Sequence, residues 1–91
     1  MSASLLEILD EKIDHLDERV REERKQARDN TLSFDERKSA ESFENFYKAR
    51  REEVKEDKRK LIRATQQDNP EKLRQVVSRL TNYYRRDLDL F

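Results

Sequence analysis

The chain has 91 residues, of which 46% are charged and 33% hydrophobic, and its acidic and basic side chains balance to a formal net charge of zero. This length allows one small domain, and the charged fraction is nearly twice the norm of about 25% for globular proteins. Glycine and cysteine are both absent, which excludes glycine-rich phosphate loops, nucleophile elbows, disulfides and thiolate metal sites. We therefore expect no cofactor and no catalytic residue, and the abundance of Ala, Glu, Lys, Leu and Arg predicts an all-α fold.

The first predicted helix spans residues 4–28. Its apolar residues recur at alternating intervals of three and four, which places them on one helical face: Leu6, Leu9, Ile13, Leu16 and Val20. Leu5 and Ile8 widen this stripe at its start. The pattern is that of a helix that packs lengthwise against another helix.

The second predicted helix spans residues 34–66. Ser33 and Glu36 fit a capping box, in which the hydroxyl and the carboxylate each accept a hydrogen bond from a free backbone amide. No helix-breaking residue follows before residue 66, and an apolar stripe continues through a very polar stretch: Ala40, Phe43, Tyr47, Val54, Leu61 and Ala64.

The third predicted helix spans residues 70–89. Asn69 is the expected N-cap, and Pro70 suits the first helical position, where its missing amide hydrogen costs nothing. Its apolar face is the most sustained of the three helices: Leu73, Val76, Val77, Leu80, Tyr83, Tyr84, Leu88 and Phe91.

These elements predict a single domain over residues 1–91, in which two long helices form a hairpin and the shorter third helix completes a three-helix bundle. The second helix would be about 50 Å long and the third about half that length, so the third cannot cover the whole hairpin. Four aromatic residues lie at the uncovered end: Phe34, Phe43, Phe46 and Tyr47. We expect a second copy of the chain to cover them.

The only histidine, His15, shares a helical face with Glu11, Glu18 and Glu22. Such a face could hold a metal in a helical bundle. However, it lies opposite the apolar stripe, and the sequence has no second histidine. We therefore expect a solvated face without a metal site.

Residues 9–17 read LDEKIDHLD, which resembles the opening helix of the all-helical chorismate mutases, whose pattern there is L-R-x-x-I-D-x-L-D. The resemblance covers about nine residues and implies a small dimeric helical enzyme. In that family the arginine binds a substrate carboxylate, whereas this chain has Asp10, which would repel it. An enzyme of this type is the third of the functions we consider.

The second half of the chain is basic and the first helix is acidic. Seven residues could form a phosphate-binding surface with stacking rings: Lys58, Arg59, Arg63, Tyr83, Tyr84, Arg85 and Arg86. Alternatively, the basic residues could neutralise the first helix within the fold. We favour this internal pairing, because a chain of zero net charge has no long-range attraction for nucleic acid.

The expected function is that of a non-enzymatic protein–protein interaction module, homodimeric and acting as an adaptor, an assembly factor or a small inhibitor of a larger protein. A nucleic-acid-binding regulator is the second alternative. No stretch is apolar and long enough to cross a membrane, and no signal peptide is recognisable. We therefore expect no membrane partner and a cytoplasmic location.

Overall fold

The computed structural model describes residues 4–85 and contains three helices in this range. They are α1 (Leu5–Ala27), α2 (Phe34–Gln66) and α3 (Pro70–Tyr83). The predicted all-α fold, a long hairpin followed by a short helix, is confirmed. Helix α3 ends at Tyr83, earlier than predicted, and the predicted continuation at residues 86–89, as well as Phe91, lies outside the described residues.

Each helix begins at a side-chain cap. Ser4 and Ser33 accept hydrogen bonds from the amides of Glu7 and Glu36 through their hydroxyl oxygens, and the Glu36 carboxylate accepts a bond from the Ser33 amide. Asn69 Oδ1 accepts a hydrogen bond from the amide of Lys72, the third residue of α3. These caps satisfy amides that have no carbonyl partner at a helix start, so the local sequence fixes where the helices begin.

The turn between α1 and α2 is held by an aspartate rather than by a glycine. Asp29 Oδ1 accepts hydrogen bonds from the amide of Thr31 at 2.9 Å and from its hydroxyl at 2.6 Å. The two bonds from Thr31 lower the pKa of Asp29, because they favour its ionised form. No described residue has a positive φ angle, and the turn therefore forms without glycine.

The core lies between the two long helices, and α3 packs on the half of the hairpin that lies away from the α1–α2 turn. Its buried cluster comprises Leu9, Leu16, Val54, Leu61, Leu80 and Tyr84. The predicted place of Leu6 in the α1 stripe is wrong: Leu6 is 38% exposed, whereas Ile8 is only 2% exposed. The α1 stripe therefore begins with Leu5, which packs against the core, and continues with Ile8 and Leu9.

Three ion pairs join α1 to α2 along the hairpin. Asp10 binds Lys58 at 2.5 Å, Asp17 binds Arg51 at 2.7 Å, and Arg24 binds Glu44 at 2.9 Å. From one ion pair to the next, the residue number rises by seven on α1 and falls by seven on α2, as an antiparallel pair of helices requires. We call this set the ion-pair ladder; in its third pair the acid and the base have exchanged helices.

A helix that spans a bilayer needs about 20 predominantly apolar residues, which sets the standard for the three helices. None of them, within residues 4–85, is long and apolar enough to cross a membrane.

Candidate interaction surfaces

Three of the four predicted interface aromatics lie together on α2. The rings of Phe43 and Tyr47 stack with 6.3 Å between their centres, and Phe46 meets Tyr47 edge to face at 5.5 Å. Phe43 is 50% exposed and Phe46 is 63% exposed, while Tyr47 is half-buried. We call these three residues the aromatic surface; α3 leaves it uncovered, as the sequence predicted.

An arginine of α1 fixes the orientation of the central ring. The Arg19 guanidinium lies 5.1 Å from the centre of the Tyr47 ring and donates a hydrogen bond of 3.2 Å to its hydroxyl. The same guanidinium lies 3.3 Å from Glu22 and 3.5 Å from Glu23. Because Tyr47 is held by α1, the two phenylalanines rest on a fixed ring.

Phe34, the fourth predicted interface residue, does not join this group. It is 65% exposed at the first position of α2, and the Lys38 ammonium lies 5.7 Å from its ring centre. Nine residues separate Phe34 from Phe43, which amounts to two and a half turns and places the two rings on opposite sides of the helix. This separation could have been found from the sequence spacing.

The two adjacent tyrosines of α3 have different surroundings. Tyr84 is 1% exposed, and its hydroxyl donates a hydrogen bond of 2.6 Å to Asp57. Burial, followed by this bond to Asp57, raises the pKa of Tyr84 above its ordinary value. Tyr83 is 61% exposed, and its hydroxyl accepts a bond of 3.0 Å from Arg50, whose guanidinium lies 5.2 Å from the Tyr83 ring centre. Because Tyr84 is buried, it has no face free for stacking on a base.

Two of the predicted phosphate-binding cations are already paired. Lys58 binds Asp10 of α1, as internal neutralisation requires, whereas Arg59 binds Glu56 of its own helix at 2.8 Å. The hydrogen bonds from Arg59 are also the main reason that the pKa of Glu56 is lowered. Arg85 is exposed, and Arg86 lies outside the described residues.

Arg63 instead lines a groove between the end of α2 and α3. Three further cations share that groove: Lys60, Lys72 and Arg79. The sequence predicted a basic second half of the chain but not the grouping of these three residues. The sequence spacing could have indicated the group. Lys60 and Arg63 are three residues apart on α2, and Lys72 and Arg79 are seven apart on α3, so each pair lies on one side of its helix.

Glu44 receives one cation from each of the two long helices. Arg24 of α1 and Lys48 of α2 lie 2.9 Å and 3.1 Å from it. Their hydrogen bonds, that of Arg24 first, lower the pKa of Glu44 below its ordinary value. The contact with Arg24 joins the two helices beside the aromatic surface, and Lys48 supports Glu44 from within α2.

His15 is exposed on α1 near Glu11 and Glu18, beside a shallow depression. Within residues 4–85 no group of three metal-binding side chains is placed to hold an ion. Asp10, which stands where the chorismate mutases have their arginine, is engaged with Lys58 in the ion-pair ladder.

Comparison of this chain with protein-family models, with curated proteins and with solved structures found no match. The function of this chain is therefore inferred from its own surfaces.

Proposed function

We propose that this protein is a non-enzymatic interaction module that forms a homodimer through the aromatic surface. The observation that carries the proposal is the exposure of Phe43 and Phe46, half or more of each ring, at a place where Tyr47 holds them in position. Large apolar side chains that share one exposed patch are typical of a protein interface.

The area of these rings is sufficient for a weak dimer. A phenylalanine buries about 200 Å² when fully covered, so each exposed ring offers roughly 100 Å². At about 25 cal/mol/Å², covering two rings on each of two copies contributes about 10 kcal/mol. Association itself costs about 4 to 15 kcal/mol. With the lowest association cost the balance is about −6 kcal/mol, which corresponds to a dissociation constant of tens of micromolar.

The charges around the aromatic surface permit two identical copies to meet. Arg19 is paired with Glu22 and Glu23, and Arg24 and Lys48 are paired with Glu44. A second copy would therefore meet charges of both signs rather than one repelling field. In a dimer with two-fold symmetry the same patch is used on both copies, so the same two rings of each copy would pack together.

The experiment compares two phenylalanine substitutions on the same helix. Phe43→Asp places a charge on the aromatic surface and should give a monomer. Phe34→Asp is the matched control, because Phe34 is at least as exposed as Phe43 but lies on the opposite side of α2. Size-exclusion chromatography with light scattering, at tens of micromolar, measures the mass.

A dimer that is lost with Phe43→Asp and kept with Phe34→Asp would support the proposal. A monomeric unmodified chain at that concentration would overturn it, as would equal loss of the dimer in the two variants. Circular dichroism establishes that each variant remains helical, so that a change in mass reports association rather than unfolding.

A further inference from the structure

The groove between α2 and α3 has an apolar floor and cationic sides. Its floor is formed by Ala64 of α2 and by Val76 and Leu80 of α3, and its volume is about 240 Å³. Lys60 and Arg63 stand along the α2 side. Lys72 and Arg79 stand along the α3 side. We call this site the basic groove.

The four cations of the basic groove differ from the cations in the middle of α2. From Lys48 to Arg59 every lysine and arginine of that helix is in an ion pair. Lys60, Arg63, Lys72 and Arg79 appear in none of the ion pairs found among residues 4–85. Glu56 partly offsets the positive charge of the groove, since Lys60 and Arg63 contribute to lowering its pKa, but the ion pair of Glu56 is with Arg59.

The one carboxylate in the lining is already engaged. Asp57, which lines the groove, accepts the short hydrogen bond from Tyr84. The site therefore offers four cations and an aliphatic floor to a ligand, and the complementary ligand is anionic with an apolar part.

We infer that the basic groove binds an acidic, amphipathic peptide segment of a partner protein. One or two apolar side chains of that segment would lie on Val76 and Leu80, and its carboxylates would meet Arg63 and Arg79 on the two sides. The planar guanidinium groups suit carboxylates in particular, because each can donate two parallel hydrogen bonds.

The floor favours a peptide over a nucleic acid. Unpaired bases bind on aromatic rings, but the floor residues of the groove are aliphatic. Tyr84 is buried against Asp57, and Tyr83 is engaged by Arg50. A phosphate backbone would use the cations and leave the apolar floor without a ligand.

The test uses a fluorescein-labelled peptide of about ten residues in which aspartates alternate with leucines, and measures binding by fluorescence anisotropy at low salt. We expect micromolar binding that weakens as salt is added, since the contacts are exposed charges. Arg63→Gln combined with Arg79→Gln should weaken binding about tenfold. The matched control is Arg21→Gln combined with Arg74→Gln, which removes the same charge from exposed positions outside the groove and should leave the affinity unchanged.

A second pair of variants tests the floor. Val76→Thr keeps the shape of a lining residue but adds a hydroxyl, and should weaken binding. Val77→Thr, at the next position of α3 and outside the lining, should not. A peptide with asparagine in place of aspartate should bind weakly or not at all.

Failure of the peptide to bind in the micromolar range would overturn the inference, and so would equal weakening by the two double variants. Tighter binding of a single-stranded oligonucleotide than of the peptide would replace the inference with nucleic-acid binding. The same titration on Phe43→Asp separates this site from the dimer. If binding persists in that variant, the groove functions independently of the aromatic surface. If binding is lost, the inference that the groove itself binds the peptide is contradicted.

Discussion

The hydrogen bond from Tyr84 to Asp57 ties α3 to the hairpin, and its removal should measurably destabilise the protein. The substitution Tyr84→Phe removes the hydroxyl and keeps the ring, which is 1% exposed. The bond is 2.6 Å long and its acceptor is a carboxylate. Hydrogen bonds to charged groups contribute about 1.5 to 3 kcal/mol.

We expect a loss at the lower end of that range, because Asp57 is only half-buried and water can replace part of the lost bond. With an m-value of about 1.5 kcal/mol/M, a loss of about 1.5 kcal/mol lowers the urea midpoint by about 1 M. Urea unfolding followed by circular dichroism measures this shift.

The neighbouring tyrosine supplies the control. Tyr83→Phe also removes one hydroxyl, but Tyr83 is 61% exposed, so its bond with Arg50 competes with water. The expected loss is within about 0.5 kcal/mol. Equal losses for the two variants, or no loss for Tyr84→Phe, would show that Asp57 does not hold α3.

The raised pKa of Tyr84 gives an independent measurement on the same variant. The folded protein holds the Tyr84 proton more tightly than the unfolded chain does. This contribution to stability is therefore complete below the ordinary pKa of 10.0 and is lost as the pH rises above it. The difference in stability between the unmodified chain and Tyr84→Phe should shrink above pH 10.

Two further predictions concern the hairpin. Leu16→Ala should reduce the free energy of unfolding by about 2 to 5 kcal/mol, because Leu16 lies in the buried cluster; the exposed Glu18→Ala serves as the control in urea unfolding, and a larger loss for Glu18→Ala would contradict the assigned core. Glu44, whose pKa is lowered mainly by Arg24, should stabilise the fold above its ordinary pKa of 4.5 and lose that effect as the pH falls below it. Thermal unfolding of Glu44→Gln between neutral and acidic pH should accordingly show a weaker pH dependence than the unmodified chain, and an equal dependence would count against this role.

The sequence predicted the helices well because their limits depend on local chemistry. Ser33 and Glu36 form the predicted capping box, and Asn69 caps α3 at Pro70. The exposed rings of Phe43 and Phe46 were also predictable, because a short third helix cannot reach along the whole of α2. In each case the deciding information lies within a few residues or in the helix lengths.

The sequence could not decide between neighbouring residues whose roles depend on packing angles. Tyr83 and Tyr84 are both aromatic residues at the end of one amphipathic helix, and only the way α3 docks makes Tyr84 the buried one. Likewise Lys58 and Arg59 are adjacent cations, but one reaches α1 and the other stays on α2. A heptad pattern gives the side of a helix and not the depth or direction of each side chain.

The exchange of acid and base in the ion-pair ladder restricts how the two long helices can align. A slip of one heptad in one direction would bring Asp17 opposite Glu44, and a slip in the other direction would bring Arg24 opposite Arg51. Either displacement keeps the apolar faces in contact but sets like charges against each other, which costs free energy. If the acid were on α1 in all three pairs, a slipped hairpin would still set opposite charges against each other wherever the pairs overlap. The reversed pair at Arg24 and Glu44 thus selects a single alignment in a hairpin whose heptad spacing would otherwise tolerate several.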